Sequence, residues 1–319
     1  MRMTDDTFPP SREEQAFSED LQAAASTIGS AVERLLGSWE DNPTVPPTIF
    51  HFTDTGGLIG VLSSKTLRAS LATALNDASE TKYAISRFRS NLTSNAISLK
   101  NLKRDKLLEQ SGEGTFRVDF RTYVVSFCAA AEIVHWLHYG RSGTGVALEF
   151  ESLGLFAVNQ FTLNRVIYET PEQDRFLAAI LECIDDLVPQ IASTNQRLDP
   201  FKNPLMDSFF AEVAVSLLRF AAPRMKDPAF RSENEWRLLS NEVWRPGTAA
   251  TPTRKTHFRT TNGRIVPYKE VDFEELPLRR IVIGASAPMD VEEQALAVLM
   301  EDALERRVPV TRSTVMVRP

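Results

Sequence analysis

Ser232-Glu233-Asn234-Glu235-Trp236-Arg237-Leu238-Leu239, residues 232–239, is the stretch around which the rest of the chain is best read. Its alternation predicts the start of a strand, in which residues i, i+2 and i+4 share one face. Glu233, Glu235 and Arg237 then point one way, and Trp236 faces the core. Two carboxylates and a guanidinium on one face are costly to bury unless they act together. Such a set can hold a ligand hydroxyl and stabilise a developing cation. The same spacing also fits an exposed strand face with an internal ion pair, worth little to stability.

Other strands follow from β-branched and aromatic runs. They are Thr48–Thr53, Thr66–Ser70, Arg117–Phe127, Gly145–Phe150, Leu163–Tyr168, and segments near 235–241, 257–268, 279–284 and 309–317. Helical spacing marks 55–64, a long stretch after Leu75-Asn76-Asp77-Ala78-Ser79-Glu80 reaching about Gly112, and Ile133–Tyr139. It also marks 171–195, 204–222 and 290–305. Helices gather in two places instead of alternating with strands, which predicts an α+β fold.

At the N-terminus, Ser11 precedes Arg12-Glu13-Glu14 in a capping-box pattern. Phe17, Leu21, Ala24, Ile28, Val32, Leu35 and Leu36 keep helical spacing up to Gly37, and a proline-rich linker ends at Pro47. The expected organisation is a helical arm with linker over 1–47, then a domain over 48–319 with a helical-hairpin insertion at about 171–225.

The 319 residues are 43% hydrophobic, enough for a substantial core, and the net charge of -6 argues against a dedicated nucleic-acid coat. Two unmotifed cysteines among 319 residues predict a reducing compartment without disulfides. There is no apolar signal-like run and no membrane-length apolar segment, so a soluble cytoplasmic protein is expected.

Several residues have chemistry to offer, each with a plain structural alternative. His51 sits among Phe50 and Phe52, as a core or edge histidine would. Ser126 ends a strong strand without a nucleophile-elbow motif, so a backbone hydrogen bond is the plain reading. Cys128 reads as a packed small residue. His135 and His138 are three apart on a short helix without a third ligand in sequence, so packing and capping come before metal. The glycine-rich 139–145 segment fits a tight turn and matches no phosphate-binding fingerprint. Asn76-Asp77 fits an Asx turn or a ligand ribose or amide contact. Lys226-Asp227-Pro228 reads as a turn.

Eight motifs occur in order: Ile49-Phe50-His51-Phe52-Thr53, Leu75-Asn76-Asp77-Ala78-Ser79-Glu80, Val125-Ser126-Phe127, His135-Trp136-Leu137-His138-Tyr139-Gly140, Gly145-Val146-Ala147-Leu148-Glu149-Phe150, Val166-Ile167-Tyr168, Phe230 through Arg237, and Ile281-Val282-Ile283-Gly284. As a set, over about residues 48 to 317, they resemble the bacterial family catalogued as domain of unknown function 2971. That family in turn looks like a remote relative of the ADP-ribosyltransferases. The second likeness implies a split β-sandwich around an NAD cleft, with His51, Ser126 and Glu235 matching the three signature positions. His51-Phe52-Thr53 is similar to the opening of the DNA-modifying members, and Glu233-Asn234-Glu235 to the E-x-E of arginine-modifying ones.

The resemblance implies NAD as substrate and a macromolecular acceptor, protein or nucleic acid, in the manner of a toxin or phage-defence effector. Glu235 and Glu233 would be catalytic. His51, Thr53, Ser126, Asn76 and Arg237 would contact NAD. A basic set of Arg87, Arg89, Lys100, Lys103 and Arg104 would suit a nucleic-acid target, although such a run is usually a solvated helix face. The rival expectations are NAD hydrolysis without an acceptor and a catalytically silent binding module on the same scaffold.

Overall fold

The computed structural model describes residues 11–39, 45–74, 78–94, 96–112, 119–156, 158, 160–244, 255–261, 263–287, 289–304 and 306–316. Asn76 and Asp77 lie outside these residues. In chain order the helices are α1 (Arg12–Gly37), α2 (Thr55–Ser64), α3 (Ala78–Thr93), α4 (Arg104–Gln110), α5 (Ile133–His138), α6 (Ser152–Phe156), α7 (Thr170–Thr194), α8 (Leu205–Ala221) and α9 (Met289–Leu304). The strands are β1 (Thr48–Thr53), β2 (Thr66–Leu71), β3 (Asp119–Cys128), β4 (Val146–Glu151), β5 (Thr162–Arg165), β6 (Glu235–Trp244), β7 (His257–Thr261), β8 (Arg264–Asp272), β9 (Leu278–Ile283) and β10 (Val310–Arg312). Mixed α and β structure is thus present, with a large open sheet.

The chain divides into two compact units, one drawn from 1–39, 86–118 and 174–218, the other from 40–85, 119–173 and 219–319. The first is helical. Ser11 caps α1 by the expected box, its hydroxyl accepting from the Glu14 N–H while Glu14 accepts from the Ser11 N–H. Ile28, Val32 and Leu36 are buried at helical spacing, as are Phe176, Ile180 and Ile184 on α7. Trp39 packs edge-on against Phe176, ring centres 5.1 Å apart. Buried Asp185 accepts the backbone N–H groups of Lys100, Asn101 and Leu102 at 2.9, 2.9 and 2.6 Å. The basic set is largely engaged here: Arg87 pairs with Asp174, Arg89 reaches Ser111 and the Leu108 carbonyl, and Arg104 donates to the Ile97 carbonyl.

The second unit is built on the sheet. Its strand order is β10-β9-β4-β1-β3-β2-β8-β7, with β6 joining β3 and β5. The pairings among these strands are antiparallel except β10 with β9. β3 explains the layout. Along one edge it pairs with β6 over its whole length, from Asp119↔Trp244 to Cys128↔Glu235. Along the other it is shared: β2 pairs at Tyr123 and Val124, β1 only at Cys128. The sheet therefore splits opposite Val125–Phe127.

Alternation sorts the side chains. Tyr123, Val125 and Phe127 point into a core with Leu148, Phe150, Trp236 and Leu238, covered by Leu58 and Leu62 of α2 and Leu296 and Met300 of α9. Val124, Ser126 and Cys128 point to the other face, where Phe50, Trp136, Ala147 and Val282 make a smaller cluster. Gly145, just ahead of β4, is forced: a Cβ there would lie 2.6 Å from the Thr53 carbonyl oxygen.

Several sequence expectations change. The strand expected at 257–268 is two strands, β7 and β8, with Gly263 just ahead of β8 at φ +74. Asn-Gly between alternating runs is a hairpin signal, here bridged by a run of β-formers. The long helical stretch before Gly112 is α3 and α4, separated by the segment that Asp185 holds. The strand expected over Leu163–Tyr168 stops at Arg165, and Ile167 instead bridges Met225.

Phe127 is fully buried and meets Phe150 edge-on with ring centres 5.9 Å apart. Phe127→Ala is expected to lower the unfolding free energy by about 3–5 kcal/mol, read from the denaturant midpoint. A loss below about 1 kcal/mol would mean that the core closes over the gap.

Candidate functional site

The site begins at the split. Where β1 and β2 diverge, the Ser126 carbonyl has no strand to accept from on that edge. The His51 ring fills the place, with Nδ1 2.9 Å from the Ser126 oxygen. A carbonyl only accepts, so Nδ1 carries the proton and Nε2 remains as the ring's acceptor. Burial, ahead of a more distant Arg259 charge, holds the His51 pKa below its ordinary value, against the pull of that hydrogen bond. The imidazole is neutral and tied to the backbone.

A cavity of about 500 Å³ opens beside the split, lined by Phe50, His51, Phe52, Ala72, Glu80, Val124, Ser126, Cys128, Tyr139, Lys226, Glu235 and Arg237. All belong to the sheet-bearing unit. The size lies within the ~300–1,000 Å³ of small-molecule sites, and the mixture of aromatic walls with a few charged groups is typical of them.

Four charged side chains, Glu80, Lys226, Glu235 and Arg237, make its polar end, and Glu233 joins them from behind the wall through Lys226. The Arg237 fork places Nε and Nη2 on Glu235 at 2.8 and 2.9 Å. Nη1 and Nη2 each reach Glu80 at 2.7 Å, and Nη1 also meets the Pro223 carbonyl at 2.8 Å. All five guanidinium donors are thus engaged. Lys226 Nζ sits among three carboxylates: Glu233 at 2.6 Å, Glu80 at 3.4 Å and Glu235 at 3.5 Å. Three carboxylates against two cations leave the cluster one negative charge.

Burial alone would raise the Glu235 pKa. The Arg237 and Lys226 charges and a hydrogen bond from the Ser126 hydroxyl outweigh it and hold the carboxyl below its ordinary value. Burial would lower Arg237, but Glu235 and Glu80 keep it well above the ordinary arginine range. Lys226 is raised in the same way, against its burial, by Glu235, Glu233 and Glu80. Burial, then the Glu235 and Glu233 charges, pushes the Cys128 thiol up, so it is no nucleophile. The same causes keep Tyr139 protonated, its hydroxyl donating to Glu233.

The surroundings fix these groups. His135, fully buried, accepts the Glu132 N–H at Nδ1 and donates from Nε2 to the Glu233 carbonyl at 2.8 Å. The Tyr168 hydroxyl accepts the Glu235 N–H at 3.2 Å. Lys226 is held in the bridge to Ile167, its carbonyl accepting from buried Gln173 at 2.8 Å.

The sequence reading put Glu233, Glu235 and Arg237 on one strand face. Glu235 and Arg237 do share a face of β6, but Glu233 precedes the strand in a 3₁₀ turn and Asn234 is left-handed at φ 40. Glu233 reaches the cluster through Lys226 and Tyr139 and is not on the cavity wall. His51, Ser126, Glu235 and Arg237 meet at the cavity. Thr53, half-buried at the end of β1 beside the Gly145 turn, does not line it. Glu80, Lys226 and Tyr139 escaped the sequence reading as site residues. The available signal was charge balance: two buried carboxylates near one arginine call for a second cation.

Removing one partner of a buried pair strands the other's charge. Arg237→Met is therefore expected to cost about 3–5 kcal/mol in unfolding free energy, and Arg237→Lys to rescue it only in part, since an ammonium has three donors. Because Glu235 is held below its ordinary value of 4.5, the stability it contributes is present above that value. It is lost as pH falls through the lower folded pKa. Denaturation between pH 7 and 3 should show a smaller acid loss for Glu235→Gln than for wild type; equal losses would place the acid-labile contact elsewhere.

Among known proteins, residues 135–238 match the family model described as Protein of unknown function (DUF2971). No curated protein and no solved structure matches the chain. The matched segment holds His135, Tyr139, Tyr168, Lys226, Glu233, Glu235 and Arg237, most of the charged cluster and its supports. The match supports the DUF2971 family over that segment.

Proposed function

We propose that the cleft binds NAD and transfers its ADP-ribosyl group to a macromolecular acceptor, protein or nucleic acid. The observation that carries this reading is that His51, Ser126 and an ionised Glu235 line one cavity. The split of the sheet along β3, with the cavity at the gap, supports an ADP-ribosyltransferase-like arrangement.

In this reaction the bond between the nicotinamide nitrogen and ribose C1′ breaks, and nicotinamide leaves with the electron pair. The ribose then carries oxocarbenium character. An acceptor nucleophile bonds to C1′ and its proton passes to water. A carboxylate beside the ribose favours the cation over the ground state and so lowers the barrier. Glu235 suits this task because it is ionised, and its lowered pKa makes it a poor general base. Glu233 holds Lys226 and Tyr139 in position. Glu235 already accepts from Arg237 twice, from Lys226 and from Ser126. A ribose hydroxyl enters by displacing one donor. Ser126, exposed at the cavity, is the one free to turn away.

That saturation also favours a second reading, a silent binding module whose Glu235 only closes the ion pair. The test is nicotinamide release from NAD by wild type, Glu235→Gln and Ser126→Ala, with and without cell lysate, alongside melting curves. The expected result is lysate-dependent release, reduced about 10²–10³-fold in folded Glu235→Gln and by a smaller factor in Ser126→Ala. Release by Glu235→Gln at the wild-type rate would remove the mechanism. Release without lysate would make the protein a hydrolase. No release together with no NAD binding by calorimetry would leave the binding module.

A further inference from the structure

The sheet face that carries the cavity continues past it onto β2, β8 and β7. Ser70 lies opposite Val124, a cavity residue, and Arg68 is two residues back on the same face of β2. Arg259, on β7, donates from Nη2 to the Ser70 hydroxyl at 2.9 Å. The Arg68 guanidinium lies over the Tyr268 ring, 5.3 Å from its centre. His257 stacks on the same ring with centres 5.5 Å apart.

Exposed Arg68 and half-buried Arg259 differ from the two buried cations of the charged cluster. Arg237 and Lys226 are saturated by carboxylates. Among the described residues, neither Arg68 nor Arg259 has a carboxylate within ion-pair distance, and the buried Arg259 Nε has no partner. The carboxylate whose charge acts on Arg259, Asp54, is bonded to Arg141 at 2.8 Å. Burial, then repulsion from Arg68, pushes the Arg259 pKa down. A half-buried guanidinium with an unused N–H and a like charge beside it lacks the counter-ion that burial normally requires.

We propose that Arg68 and Arg259, with the Ser70 hydroxyl, form a phosphate-binding subsite that takes the diphosphate of a dinucleotide lying in the adjoining cavity. The guanidinium fork offers paired N–H groups to phosphate oxygens, and two such forks suit two linked phosphates. Identifying the ligand as a dinucleotide rests on the NAD reading above. The subsite's chemistry, recognition of a nucleoside diphosphate, does not.

The experiment is calorimetry on the full chain with ADP and with adenosine, for wild type, Arg259→Gln and the more exposed Arg68→Gln, each checked by melting curve. Wild type is expected to bind ADP at least about ten-fold more tightly than adenosine, and each variant to lose about ten-fold for ADP with adenosine unchanged. Equal affinity of wild type for ADP and adenosine, no ADP binding, or unaltered ADP affinity in both folded variants would overturn the subsite. The same variants separate the two proposals. ADP binding that depends on Arg259, with no nicotinamide release by wild type, keeps the subsite and removes the transferase. Nicotinamide release with the KM for NAD unchanged in both variants does the reverse.

Discussion

The constraint on which the site depends is the enclosure of five charges, four of them buried and Glu80 half-buried, with both cations faced by carboxylates. Arg237 has five donors and places all five; Lys226 has three and faces three carboxylates. A cluster like this is rarely the cheapest way to fill a core, since apolar residues of similar volume often serve as well. What it gives instead is position. Glu235 is pinned from above by Arg237, from the side by Lys226 and through its backbone by Tyr168. A carboxylate so held keeps its charge and its orientation without reorganising when a positive charge develops in front of it.

The sheet supplies the place for that carboxylate. β3 is the axis: it carries β6 on one edge and is shared by β1 and β2 on the other. Because β1 and β2 part at Ser126, a backbone carbonyl is left to be satisfied, and His51 satisfies it. The histidine thus has a structural duty whatever else it does. That duty also fixes its tautomer and leaves the second ring nitrogen as an acceptor. A strand-end serine and a strand-centre histidine, each unremarkable locally, become neighbours only because the ladder is interrupted there.

This is why the sequence was informative about parts of the site and mute about others. Ser11 and Glu14 announce the start of α1 because a cap is a contact between residues three apart. The alternation from Glu235 onward announces β6 and the inward Trp236 for the same reason. Glu233 did not follow the pattern because a single left-handed residue, Asn234, re-aims everything before it, and asparagine tolerates that conformation without advertising it. Lys226 looked like turn punctuation before Asp227-Pro228, which it is; its side chain nevertheless ends among three carboxylates. Glu80 comes from a helix start more than 150 residues away in the chain from Arg237. Contacts of that separation are written in the register of the sheet, not in any window of sequence.

The two ends of the cavity face are electrically unlike, and that asymmetry constrains any occupant. At the β6 end the cluster keeps one negative charge in excess; toward β2 and β7 two arginines lack carboxylate partners. A uniformly anionic ligand would be repelled at the first end and a uniformly cationic one at the second. A ligand with phosphates at one end and a cationic or cation-forming group at the other is matched at both. It would also supply the arginines with the counter-charge the protein withholds. Aromatic walls between the ends, Phe50 and Phe52 among them, offer the apolar faces that a flat heterocycle needs. NAD has this distribution of charge, with a nicotinamide ring that bears a positive charge and a diphosphate some distance from it. The charges of the whole sheet face, and not three cavity positions alone, are thus complementary to the proposed dinucleotide.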